Sequence, residues 1–222
     1  MPSDTHPAEH ETTGADAKVA DAPESWPVDR SEVRYRSAKV AMRTDWVEMP
    51  GAGGVGTSVA ARDYMQHPGA AAVLALDDDG RVLLLRQYRH PVRQTLWEMP
   101  AGMIDVEGEG PLPTARRELV EEAGLRAERW YKLPDFFPSP GFSDERIHVF
   151  LARGVSEVPP EEIDFVREHE ETDLAAEWVP LGEAVRLVME GRLHNGPTVI
   201  GVLAAHAASA DGFASLRELP AG

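Results

Sequence analysis

The 222 residues suffice for one full-sized domain, with or without a small accessory lobe, and for a sizeable buried core. A formal charge of −16 at pH 7 excludes nucleic acid and anionic membrane as principal partners, since both require a basic surface. With no cysteine, no apolar run near the roughly 18 to 20 residues that span a bilayer, and no basic-then-apolar leader, the chain lacks disulfide and thiol chemistry and is expected in the cytoplasm.

Residues 1–27 are rich in Ala, Pro, Asp, Glu and Thr and have almost no large apolar side chain before Trp26, so a mobile acidic tail is expected. Over 28–67 the apolar positions Val33, Tyr35, Val40, Met42, Trp46 and Val47 predict two or three strands of a small β lobe. The turn GAGGVG at 51–56 lacks a following helix and a Lys-Ser/Thr pair, so it reads as a hairpin connection and not as a phosphate loop.

From residue 68 the main domain begins. The apolar run 70–76, the turn Asp77-Asp78-Asp79-Gly80 and the run 81–88 predict a hairpin. The acidic triplet lacks the twelve-residue calcium-loop pattern. Arg86, Arg89 and Arg93 then place positive charge ahead of a densely acidic segment, 117–125. As a helix, that segment projects Glu118, Glu121 and Glu122 from one face, where like charges repel unless cations bind; clustered hard oxygen ligands are what Mg²⁺ or Mn²⁺ selects. Ala115, Leu119 and Ala123 are expected on the opposite side, packed on a core, and Gly124 stops the helix. Three glutamates alone fit a plain solvated face as well.

Beyond the helix, the loop PDFFPSPGFSDE carries Ser139, Pro140, Gly141 and Glu145 and suits a lid or pocket wall before a strand over 146–152. A second acidic concentration, Glu168, Glu170 and Glu171, precedes a predicted strand at 177–179. A helix is predicted over 181–193, and Asn195-Gly196-Pro197 opens a last one through about residue 208, followed by a tail over 209–222.

The spacing around the acidic helix is more specific than its charge. Seven residues separate Glu109 from Arg117, and six separate Gly102 from Glu109. With Arg117-Glu118-Leu119-Val120-Glu121-Glu122-Ala123-Gly124-Leu125, this resembles the Nudix box, GX5EX7REUXEEXGU with U aliphatic, carrying one extra residue between Gly102 and Glu109 where the backbone is a loop. Three further features resemble the ADP-ribose pyrophosphatase branch: the WEMPAG entry, SPGFSDE with Pro140 fifteen residues after the box, and the later EHEE. The likeness covers roughly residues 33–208.

That resemblance implies an α/β fold, an α/β/α sandwich with a mixed sheet over 68–208 plus the small N-terminal β lobe over 28–67. It also implies a homodimer with exchanged lobes and hydrolysis of ADP-ribose to AMP and ribose 5-phosphate. Glu118, Glu121 and Glu122, with the Ala101 carbonyl, are the implied ligands of Mg²⁺ or Mn²⁺. Arg117 is expected to hold a carboxylate of the cluster in its rotamer, Glu109 to brace the loop, and Gly102 to make a tight turn. Arg86, Arg89, Arg93 and Glu98, with Pro140 and Glu145 of the later loop, are the candidate substrate contacts, because arginines pair with phosphates and carboxylates accept from ribose hydroxyls. Glu168 is the candidate base, with Glu170 as its partner and Glu145 as the next candidate. Other nucleoside diphosphate sugars, such as an ADP-sugar or GDP-mannose, use the same metal helix. A non-catalytic ADP-ribose sensor would require a DNA-binding stretch that this acidic sequence does not display.

Overall fold

Residues 19–163 and 175–220 are described by a computed structural model. The alternating stretch after the tail folds as three antiparallel strands, β1 (Val28–Arg36), β2 (Ala41–Pro50) and β3 (Thr57–Gln66), in that spatial order. The glycine-rich turn joins β2 to β3 as a hairpin, with Gly53, Gly54 and Gly56 all at positive φ, a region that side-chain-bearing residues avoid. This sheet is thinly covered: Ala41 and Thr44 are buried, while Val33, Tyr35 and Val59 are exposed on the isolated chain.

The second sheet is mixed. Strands β4 (Ala70–Leu76), β5 (Arg81–Arg89), β6 (Gln94–Glu98), β7 (Ala101–Met103), β8 (Leu125–Lys132), β9 (Ile147–Glu157), β10 (Ala175–Pro180) and β11 (Glu218–Leu219) contribute. The order is β10-β5-β4-β9-β8-β11, with β6 on β5 and β7 on β4; among the described strands of this sheet only β4 and β9 run parallel. Helix α1 (Pro111–Ala123) covers one face, and α2 (Leu181–Met189) and α3 (Gly196–Ser209) cover the other. β4 explains why its sequence is apolar without alternation: Ala71, Val73 and Ala75 pack with Ala115 and Leu119 of α1, while Ala72, Leu74 and Leu76 pack with Val202 and Ala205 of α3. The result is a three-layer α/β/α sandwich.

A fork in this sheet positions the functional cleft. β4 and β5 share one paired position, Leu76↔Val82, and then diverge. β6 fills the freed edge of β5, from Leu85↔Glu98 to Arg89↔Gln94, and β7 fills that of β4, from Ala72↔Ala101 to Ala70↔Met103. The break between β6 and β7 falls at Met99-Pro100, where proline has no N–H to give a ladder. Met99 N–H donates instead to the buried Thr198 Oγ1 of α3 at 2.9 Å, and the Pro100 carbonyl accepts from Val73 N–H at 2.8 Å.

Several elements depart from the sequence reading. β6 and β7, absent from it, are too short and too interrupted by Pro and Gly to stand out. α2 ends at Met189 and not at 193, because Gly191 takes φ 66° and its N–H turns back to the Val188 carbonyl. β9 runs on to Glu157 as a half-exposed partner of β8. Within 209–222, read as a tail, Phe213 and Leu216 pack against the core and β11 pairs with Trp130 and Tyr131. Among the described residues no helix is long and apolar enough to cross a membrane.

Candidate active site

α1 begins where Gly110 caps and Pro111 presets the first turn, and it ends where Gly124 adopts φ 64° and returns its N–H to the carbonyls of Leu119 and Val120. Its carboxylates and its apolar stripe are not on opposite sides as expected. Glu122 follows Ala115 by seven residues, close to two full turns, so it lies nearly in line with the core stripe. Accordingly Glu118 and Glu122 are each only 8 % exposed, and Glu121 alone of the three is half-buried.

Buried carboxylates require partners. Arg117 Nη1 bonds to Glu118 Oε1 at 2.6 Å and to Glu121 Oε2 at 2.9 Å, while its Nε and Nη2 reach Glu109 at 3.2–3.3 Å. One guanidinium thus ties the loop glutamate to two helix glutamates. Burial disfavours its charge, but the Glu109 hydrogen bonds and the neighbouring Glu118 and Glu121 charges outweigh burial and raise its pKa further, so it is held protonated. Glu109 also accepts from Thr114 Oγ1 at 3.0 Å. Glu122 Oε2 accepts from the Ala101 amide at 2.9 Å, which locates that carboxylate on β7.

Gly102 has a different task from the tight turn expected of it. It lies within β7 and outside the left-handed region. A Cβ there would meet Glu118 Oε1 at 1.9 Å, so the glycine makes room for the carboxylate. Among the described residues no three acidic or histidine side chains yet converge as a ready metal cage, because Arg117 stands between Glu118 and Glu121. The donor set is all oxygen, which fits a hard divalent cation.

The cleft opens in the fork between β6 and β7, with a volume of about 480 Å³. Arg89 and Glu98 form one wall and Ala101 and Gly102 another; Glu145, His67 and Asn195 close it. Arg89 pairs bidentately with the buried Glu98, at 3.0 and 2.7 Å. The other candidates are placed elsewhere. Arg86 is exposed and differs in strand parity from Arg89, so it leaves the opposite face of β5. Arg93 sits in the β5–β6 turn at φ 53°, and Pro140 is exposed; neither lines the cleft. Glu168 and Glu170 lie outside the described residues.

Sequence reasoning missed His67 and Asn195 as cleft residues. His67 closes the lobe before Pro68-Gly69, and nothing local marks it. In the sequence Asn195 signals only the opening of a helix; it does cap α3, accepting from Thr198 N–H at 3.0 Å, while also lining the cleft.

Comparison with known proteins gives concordant likenesses. The family profile described as NUDIX domain matches residues 65–199. An ADP-ribose pyrophosphatase of Mycobacterium tuberculosis is 44 % identical over 189 residues, covering 85 % of this chain and 86 % of that protein. A methanol dehydrogenase activator of Bacillus methanolicus is 35 % identical, covering 78 % and 88 %. An ADP-ribose pyrophosphatase of Bacillus subtilis is 38 % identical, covering 64 % and 74 %. The crystal structure of an ADP compounds hydrolase superposes with a TM-score of 0.64 over 87 % of this chain and 99 % of that one; at 18 % identity, the likeness is one of fold.

Proposed function

This chain belongs to the Nudix family, and from that premise we propose that it hydrolyses the pyrophosphate of ADP-ribose to AMP and ribose 5-phosphate with a divalent metal, Mg²⁺ or Mn²⁺. The observation that carries the reading is the junction of α1 with β7, where Glu118 is seated against Gly102 and Glu122 against the Ala101 amide at the wall of the cleft. The names of the M. tuberculosis and B. subtilis relatives support the choice of substrate.

In this reading Glu118, Glu121 and Glu122, with the Ala101 carbonyl, hold the metal. When bound, the ion neutralises charge on the pyrophosphate and supports activation of the attacking water. Arg117 and Glu109 keep the carboxylates in register through the 2.6–3.3 Å bonds described above. Arg89 presents a cation at the cleft, its orientation fixed by Glu98, and Glu145 offers an acceptor for ribose hydroxyls. Arg86, Arg93 and Pro140 do not line the cleft, so any contact they make with substrate requires a partner subunit or a closed loop. A metal-held glutamate is a poor base, because the cation lowers its basicity. The base is therefore assigned to Glu168 with Glu170 as its partner, and Glu145 stands next in line. The β lobe over 28–67 is assigned to homodimerisation, since β1 and β3 expose Val33, Tyr35 and Val59 in the single chain.

AMP release from ADP-ribose, measured with and without Mg²⁺, tests the activity, and kcat/KM for ADP-ribose, ADP-glucose and GDP-mannose tests the substrate. Metal-dependent release with ADP-ribose preferred is expected; faster turnover of GDP-mannose would overturn the substrate assignment. Glu122→Gln should lower kcat by orders of magnitude with the fold retained. Glu168→Gln should lose more activity than Glu170→Gln at saturating substrate and metal; the reverse order exchanges their roles, and two small effects move the base to Glu145.

A further inference from the structure

The loop that carries Glu145 is built into the lobe. Past the centre of β3, Met65 N–H donates to the Phe142 carbonyl at 2.8 Å and the Met65 carbonyl accepts from Asp144 N–H at 3.2 Å, so Ser143 pairs with Met65 as a short parallel bridge. Two side chains complete the join. The buried Ser143 hydroxyl donates to the Met65 carbonyl at 3.2 Å and accepts from the Glu145 amide at 3.1 Å. Asp144 Oδ1 accepts from the His67 amide at 2.7 Å. On the far side of this seam His67 and Glu145 both line the cleft, with Nδ1 and Oε1 3.6 Å apart. His67 Nδ1 already accepts from Gly69 N–H at 3.1 Å, which fixes the ring.

We infer that Ser143 and Asp144 are positioning residues: they fasten the loop over 139–145 to the end of β3 and thereby set the Glu145 carboxylate at the wall of the cleft. Successive residues of an extended segment point to opposite sides, so a carboxylate gripped by the lobe at 144 turns its neighbour at 145 toward the cleft. Ser143 acts on the backbone of Glu145 itself, and its hydroxyl joins that amide to the β3 carbonyl. The Asp144 bond is charge-assisted but exposed, so its effect is that of one ordinary hydrogen bond. The inference rests on the reading of Glu145 as a substrate contact and adds the means by which the lobe controls it.

Steady-state kinetics on the full-length enzyme test it. Asp144→Ala and Ser143→Ala should each raise KM about fivefold with kcat changed less than about twofold, the scale of one net hydrogen bond. Asp144→Asn keeps an acceptor and should restore KM. In a Glu145→Ala background, neither alanine substitution should raise KM further, because both act through that carboxylate. Unchanged KM in the single variants, effects that multiply with Glu145→Ala, or no rescue by Asp144→Asn would each overturn the assignment. Asp144 is exposed, so its variants fold even if Ser143→Ala is destabilised. The substrate is the one the panel selects, so preference for another nucleoside diphosphate sugar would refute the ADP-ribose reading and leave this test intact.

Discussion

A methyl group on Gly102 would lie 1.9 Å from Glu118 Oε1, so the Glu118 carboxylate can seat against the strand only because residue 102 has no side chain. The clashing atoms belong to the end of a flexible side chain and not to backbone. Gly102→Ala is therefore relieved by swinging Glu118 aside, at little expense to the fold. We expect the melting temperature to fall by no more than about 2–4 °C, while kcat drops about a hundredfold, as for a catalytic group displaced by about an ångström. Thermal melts paired with ADP-ribose turnover check it; retained activity would mean that Glu118 need not sit where it does.

Arg117 is the counter-charge for three carboxylates, and its removal exposes their repulsion. Arg117→Ala should destabilise the protein by about 1–3 kcal/mol. Millimolar Mg²⁺ should recover more of the melting temperature in the variant than it adds to wild type, since a bound cation replaces the lost charge. Equal Mg²⁺ shifts in the two proteins would argue that Arg117 and the metal do not share these oxygens.

Acid stability has a named source. Burial would raise the Asp135 pKa, but hydrogen bonds from His148 and Lys132 and their charges overcome it and hold the carboxyl at about 2, below its ordinary 3.8. Arg146 pairs with the same carboxylate at 3.0 Å. A depressed carboxylate stabilises the fold above its unfolded pKa, and that stability is lost as pH falls through the folded value. Asp135 should therefore contribute about 2 kcal/mol at neutral pH, surrendered between about pH 4 and pH 2. Denaturant titrations of Asp135→Asn should show a lower plateau and a flatter acid limb.

Thr198 links α3 to the strand break beside the cleft. Thr198→Val removes the acceptor of the buried Met99 amide and should cost about 1–3 kcal/mol, whereas Thr198→Ser keeps the hydroxyl and should recover most of it. Chemical denaturation of both variants reads the difference.

The lobe should make the protein a dimer. Light scattering at micromolar concentration is expected to give twice the monomer mass, unchanged by removal of residues 1–27 and reduced by Tyr35→Glu, which charges an exposed apolar position on β1. A monomeric wild type would remove the dimer proposal.

Much of this architecture was legible because its signals are local. Apolar runs over 70–76 and 81–88 mark β4 and β5, Gly124 marks the end of α1, and the spacing from Gly102 to Leu125 marks the acidic helix. What stayed hidden depends on contacts between distant segments. Gly102 reads as a turn residue in the sequence because its partner, Glu118, approaches only after folding. Arg86 and Arg89 are equivalent as sequence signals, and the pleat of β5 separates them. His67 gains its place from a loop nearly eighty positions later, through its bond to Asp144.

The parallel pairing of β4 with β9 sets the order in which the chain can be assembled. Ala70 must meet Ile147, so the central sheet cannot close until α1 and β8 have been made, whereas β1, β2 and β3 join by short hairpins. Contacts between remote positions form slowly because loop closure precedes any reward. During synthesis the lobe can therefore emerge and pair first, leaving the end of β3 as an open edge until residues 142–144 arrive to cover it. Pulse-labelled hydrogen exchange during refolding should find amides of β2 protected ahead of those of β4, and the Met65 amide protected only together with β9.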